Sequence, residues 1–243
     1  MSDTAVSQRR SAYFLAGLAV VAVALSPPLD AAAGRHLSVH RVQHLLLMLA
    51  AAPLLVAARP VAWLMESLPV GVRARVGRTL HHPAGRAGRR LGTQPVVVLS
   101  LAVGGFWAWH LPRAYDAALG HPVVHMLEHA TFLAGSFLFW AIVLDPGPRR
   151  RLSLGATCGF VFAAMLVNIW LAAVLAFATT PMYPTYIGHD AAAALSDQQL
   201  AGVIMWLPAD VVYFVTLLTL LRKILRDLDR RHPRRVAPEE VRL

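Results

Sequence analysis

The chain has 243 residues, 57% of them hydrophobic, with a mean hydropathy of +0.53. Apolar runs near the ~20 residues that cross a bilayer exclude an ordinary soluble fold and predict one all-α membrane bundle over residues 1–243. A net charge of +10 would suggest nucleic acid in a soluble protein, but here the basic residues sort by membrane side, so no nucleic-acid partner is expected.

Six spans are predicted, with loops between them. The first covers 11–26, after Arg9 and Arg10; with Pro27 and Pro28 beyond it, it also fits a cleavable signal peptide. Further spans follow rather than a soluble domain, so we read it as uncleaved. The second covers 37–58 and opens on His36, His40 and His44. A Gly-, Pro- and Arg-rich loop at 59–94 follows, with a short interfacial helix expected at 63–68. His81 and His82 read as solvated loop residues. The third span, 95–111, ends on Trp107, Trp109 and His110, and the fourth, 121–144, opens on His121, His125 and His129. Asp145-Pro-Gly-Pro is a turn by composition. The fifth span, 154–179, holds Asn168 and Cys158; with no second cysteine there is no disulfide and no Cys-x-x-Cys site. The segment 180–199 carries Met182, His189, Asp190 and Asp197 without a basic residue, which favours the approach of cations. The sixth span, 200–222, contains Met205, Asp210 and Pro208, the one obvious mid-bilayer breaker, and a basic tail occupies 223–243.

With both termini cytoplasmic, all 23 basic residues except Arg35, Arg41 and Arg113 fall on the inner side, as the positive-inside rule requires. Lys223 is the only lysine, and this arginine preference fits a GC-rich bacterial genome and a bacterial plasma (inner) membrane. The same topology places the two histidine triplets at one outer surface.

Residues four apart on an α-helix share a face and lie about 6 Å apart along the axis, so each triplet is a stripe of imidazoles. The two stripes descend in parallel, His44 level with His129 and His40 with His125. One pair from each helix supplies four nitrogens for a metal, which makes His40, His44, His125 and His129 the expected ligands. His36, His121 and His110 would form an outer site, with Met48 and Met205 as soft auxiliaries. Imidazole suits zinc, copper and iron alike, and thioethers shift the balance toward Cu(I). Glu128 and Asp210 are expected to orient imidazoles as outer acceptors, with Asn168 hydrogen-bonded to Asp210. Two other chemistries share these residues. His125-Met-Leu-Glu128-His129 matches the H-x-x-E-H pattern of inverted zinc peptidases. Facing histidines with Gly104, Gly105 and Gly135 nearby would also suit a haem-binding electron carrier.

Four segments carry a family resemblance. They are His40-Arg-Val-Gln-His44 with Ala52-Pro53, Trp109-His110-Leu-Pro112 with Tyr115-Asp116, His125-Met-Leu-Glu128-His129 running to Phe139-Trp140, and Asp197-Gln-Gln199 with Gly202 and Met205-Trp206. In this order they resemble the CtaG family of cytochrome c oxidase assembly proteins. Ala201 departs from the pattern, where a second glycine is expected. The resemblance implies a non-enzymatic role in maturing a haem–copper oxidase through copper handling. Its expected partners are oxidase subunits and a periplasmic copper chaperone.

Overall fold

The computed structural model describes residues 3–59, 65, 68–82, 93–145, 150–188 and 190–231. Most of the expected interfacial helix at 63–68, the turn at 146–148, His189 and the tail beyond 231 lie outside the described residues. The chain forms α1 (Asp3–Ala24), α2 (Pro27–Ala33), α3 (Leu37–Ala58), α4 (Val70–His81) and α5 (Pro95–His110). It continues as α6 (Pro112–Gly120), α7 (Pro122–Val143), α8 (Leu154–Ala176), α9 (Pro184–Ile187) and α10 (Ala191–Arg231), with no strand among the described residues.

Four helices, α3, α7, α8 and α10, are each long and apolar enough to cross a membrane. The pairs α1/α2 and α5/α6 are bent by 48° and 76°, and counting each pair as one span gives six. Proline causes the bends. Ser26 (ψ 143°) and Leu111 (ψ 132°) precede Pro27 and Pro112 and are extended, because a following proline ring disfavours the helical conformation. Each proline then occupies the first turn of the next helix, where its missing N–H costs nothing. The sequence did not show α6 as a helix of its own, nor α4 within the loop predicted at 59–94.

Two further irregularities depart from sequence expectation. Pro208 does not break the last span, since α10 runs through it. Asn168 Nδ2 donates to the Met205 carbonyl at 3.2 Å, supporting the helix just before the proline. The second span is the one interrupted: residues 46–51 of α3 form a π-helical turn in which the Ala52 N–H reaches the Leu47 carbonyl. Pro53 has no N–H to offer the next carbonyl, that of Met48. Trp140 Nε1 donates to it instead, at 3.0 Å.

Helix α3 packs against α1, α2, α7 and α10, while α8 lies along α10. Gly202 sets the α8–α10 approach: a Cβ there would fall 2.5 Å from Ala176 N and 2.8 Å from Ala172 O. One apolar cluster gathers Phe139, Trp140, Phe160 and Tyr213; a second gathers Leu37, Tyr115, Leu175, Tyr183 and Met205. The outward faces expose Leu15, Leu101, Trp170 and Phe214, as expected where lipid is the solvent.

Candidate metal centre

His36 and His121 occupy equivalent places. Each is the residue capping the start of its helix, with extended backbone (φ −131° and −141°). The two ladders therefore share one helical register. His36 and His121 are exposed, His125 is half-buried, and His40, His44 and His129 are buried. The pairs expected at equal depth meet across the α3–α7 contact: ring centroids are 5.1 Å apart for His40 and His125 and 5.2 Å for His44 and His129.

Glu128 joins them from α7. Its carboxylate lies 3.7 Å from His40 Nε2 and 3.8 Å from His44 Nε2 and is fully buried. One ligand atom from each of His40, His44, Glu128 and His129 lies within 4.8 Å of the others. Metal–ligand bonds of 2.0–2.1 Å place tetrahedral donors about 3.4 Å apart, so side-chain shifts of order 1 Å would close this set on an ion. Both His44 nitrogens, both Glu128 oxygens and His129 Nε2 have no hydrogen-bond partner among the described residues. Each such buried group costs about 1–3 kcal/mol. A bound cation would satisfy several of them together, and the residues fit a metal.

Neighbouring groups fix the imidazoles. His40 Nδ1 faces the Tyr115 hydroxyl at 2.5 Å and that of Tyr186 at 3.2 Å, which leaves Nε2 for the cluster. Tyr186 donates to the Ala33 carbonyl at 2.8 Å. Arg41 is buried, with its guanidinium 4.8 Å from the Tyr115 ring centre and 5.9 Å from that of Tyr183. Tyr183 donates to the His110 carbonyl at 3.0 Å. Burial pushes the Tyr183 and Tyr186 hydroxyls above the usual tyrosine range, so both stay neutral donors.

The other expected site residues are placed as follows. His125 stands beside the cluster, its Nε2 3.2 Å from His40 Nε2 and its Nδ1 3.9 Å from Asp30 Oδ1. His110 donates from Nδ1 to the carbonyl of Phe106 in its own helix at 2.6 Å and packs against Phe106 and Phe132. Met48 lines a cavity of about 60 Å³ with Trp140, Asn168 and Tyr213, and Met205 is buried in the apolar cluster around Tyr115. Asp210 lies beside Trp206 and Asn168. These contacts of Met48, Met205, Asn168 and Asp210 do not involve the imidazoles.

Asp197, expected to attract cations, instead caps α3. It accepts from Leu37 N at 2.6 Å, from Ser38 N at 3.3 Å and from the Ser38 hydroxyl. Gln198 accepts from Met182 N at 2.7 Å, and Gln199 donates to the Ala178 carbonyl at 3.0 Å. Asp116 holds Thr185 Oγ1 at 2.6 Å. The motif residues flanking the ladders thus fasten the outer rim. Histidine spacing gives no sign of Arg41, which shares α3 with His40 and His44, nor of Asp30 and the three tyrosines, which come from other elements. Tyr115 and Arg41 alone carried a signal, since each lies within a segment that resembles the family.

Comparison with curated proteins and with solved structures gave no match. The sequence profile described as cytochrome c oxidase caa3 assembly factor (Caa3_CtaG) matches residues 2–227, nearly the whole chain, and the protein belongs to that family.

Proposed function

We propose that this protein binds one copper ion at His40, His44, Glu128 and His129 and passes it to a haem–copper oxidase subunit during assembly of the enzyme. The observation that carries this reading is the buried set of four ligand atoms within 4.8 Å, most of them without another partner. Compared with the ligands expected from the ladders, Glu128 replaces His125 in the inner set.

The charge balance favours Cu(I). The centre holds one carboxylate, and the next residue after His40 is the buried Arg41. With neutral imidazoles these two charges cancel, so Cu(I) leaves a buried excess of one and a divalent ion an excess of two, at greater cost. Copper is cargo here, delivered without a reaction of the protein's own. A zinc peptidase would hold Glu128 free to activate water, whereas Glu128 sits among the ligands. Haem is disfavoured as well, because Glu128 and a second pair of imidazoles crowd the facing rings, where a flat macrocycle would have to lie. In this reading both termini are cytoplasmic, the centre lies in the outer half of a bacterial plasma membrane, and copper arrives from a periplasmic chaperone.

Metal analysis of anaerobically purified protein tests the assignment, together with oxidase activity in a strain lacking the gene and grown under copper limitation. Near-stoichiometric copper and a loss of oxidase activity are expected. Zinc at full occupancy would overturn the choice of metal, and normal oxidase activity in the deletion strain would overturn the assembly role.

A further inference from the structure

Resting on the copper assignment, we propose that Asp30 and His125 form a transfer station through which the ion enters and leaves the centre sideways, by a cavity between α2 and α7. The alternative route runs down the ladders from the exposed His36 and His121. Two groups obstruct it. The Tyr115 and Tyr186 hydroxyls cover His40 Nδ1, and Tyr186 is itself tied to the Ala33 carbonyl. Asp197 also holds the first turn of α3 in place.

The side of the bundle is open. A cavity of about 440 Å³ is lined by Leu25 and Asp30 from the α1–α2 hairpin, Leu47 from α3, and His125, Met126 and His129 from α7. His129 belongs to both the cavity and the four-residue centre, so a single imidazole separates them. Exposure falls along the path: the Asp30 side chain is 49% exposed and that of His125 19%, while His129 is buried.

His125 is placed to bridge the two. Its Nδ1 faces Asp30 in the cavity and its Nε2 faces His40 in the centre. Asp30 is held by Gln43, which lies between His40 and His44 in the chain and is fully buried. Gln43 Nε2 donates to Asp30 Oδ1 at 3.2 Å and to the Ala24 carbonyl at 2.7 Å. The helix that carries two inner ligands therefore also positions the outer carboxylate. In the proposed step the ion binds Asp30 and His125, then exchanges these donors one at a time for His129, Glu128, His40 and His44. It arrives and departs as Cu(I), and no electron or proton transfer is needed.

The test uses the full chain in lipid nanodiscs, loaded with Cu(I), with bicinchoninate as the chelating acceptor. Competition gives the equilibrium affinity, and the time course gives the transfer rate. Asp30→Asn and Ala130→Phe, which fills the cavity wall, are each expected to slow transfer at least about ten-fold. Both should leave affinity within a factor of about three. The His36→Ala/His121→Ala double variant should transfer at the normal rate. Unchanged rates in both cavity variants would overturn the proposal. So would slowing confined to the ladder-head variant, or a loss of affinity in Asp30→Asn as large as that in His129→Ala. Ala130→Phe keeps the test valid if Asp30→Asn disturbs the hairpin. A wild-type protein that takes up no Cu(I) refutes the copper assignment itself, whereas normal uptake with unchanged rates refutes only the lateral route.

Discussion

Removing the Asp197 carboxylate should loosen the metal centre without touching it. This side chain on α10 receives Leu37 N, Ser38 N and the Ser38 hydroxyl, so it caps α3 across a helix–helix contact. A side-chain cap contributes about 0.5–2 kcal/mol, and hydrogen bonds to a charged acceptor about 1.5–3 kcal/mol each, though neighbouring bonds do not add fully. Asp197→Ala is therefore expected to cost about 2–4 kcal/mol, while Asp197→Asn, which keeps one acceptor oxygen, should recover more than half. Ser38→Ala removes one of the three bonds and should cost about 1 kcal/mol. Equilibrium unfolding in mild detergent measures all three, and the double variant measures the coupling. Because His40 lies within one turn of the cap, Cu(I) affinity should fall in the same order. A cost for Asp197→Ala below about 0.5 kcal/mol, or equal costs for Ala and Asn, would refute the reasoning.

Other consequences follow from the packing and the charges. Gly202→Ala must part α8 and α10 by roughly 0.9 Å to relieve the 2.5 Å contact, costing about 1–3 kcal/mol, and a fall in melting temperature with the fold retained is the expected readout. His44→Ala and His129→Ala should each abolish nearly as much copper occupancy per folded protein as the pair together, since ligands of one ion act as a unit; additive losses would indicate separate sites. Tyr183 and Tyr186 have raised pKa values, so their neutral forms stabilise the fold below the unfolded value of about 10, and stability should decline as pH rises beyond it. Tyr186→Phe should flatten that alkaline decline. Reporter fusions after Arg151 and Leu243 should be cytoplasmic and a fusion near Gly120 external, and the reverse would invert the proposed topology.

Periodicity made the ladder pairing legible. An α-helix fixes which residues share a stripe, and equal distances from two helix starts fix which stripes meet, so His40 found His125 and His44 found His129. The helical class and the crossing segments were legible for a similar reason, since a long apolar run has few alternatives in lipid. Interactions from distant elements were not. Nothing in the spacing indicates that Asp30, six residues before the nearest ladder histidine and in another helix, would face His125 of α7. The sheath of Tyr115, Tyr183 and Tyr186 likewise depends on how α6 and α9 fold over the rim. Counting failed where local geometry was irregular. Met48 lies one turn below His44 only on a regular helix, and the π-helical turn places it instead beside Trp140 and Asn168.

That wide turn also separates two orientations within α3. Relative to an unbroken helix it inserts one residue, worth about 100° of rotation. The imidazole stripe above it and the packing face below it, where Leu55 meets Gly17, can thus each point at the right neighbour although no single helical phase suits both. Deleting any one residue from 46–51 would restore a regular helix and swing Ala52 and Leu55 away from their partners, even with every histidine in place. In this stretch the number of residues constrains the protein more than their identity.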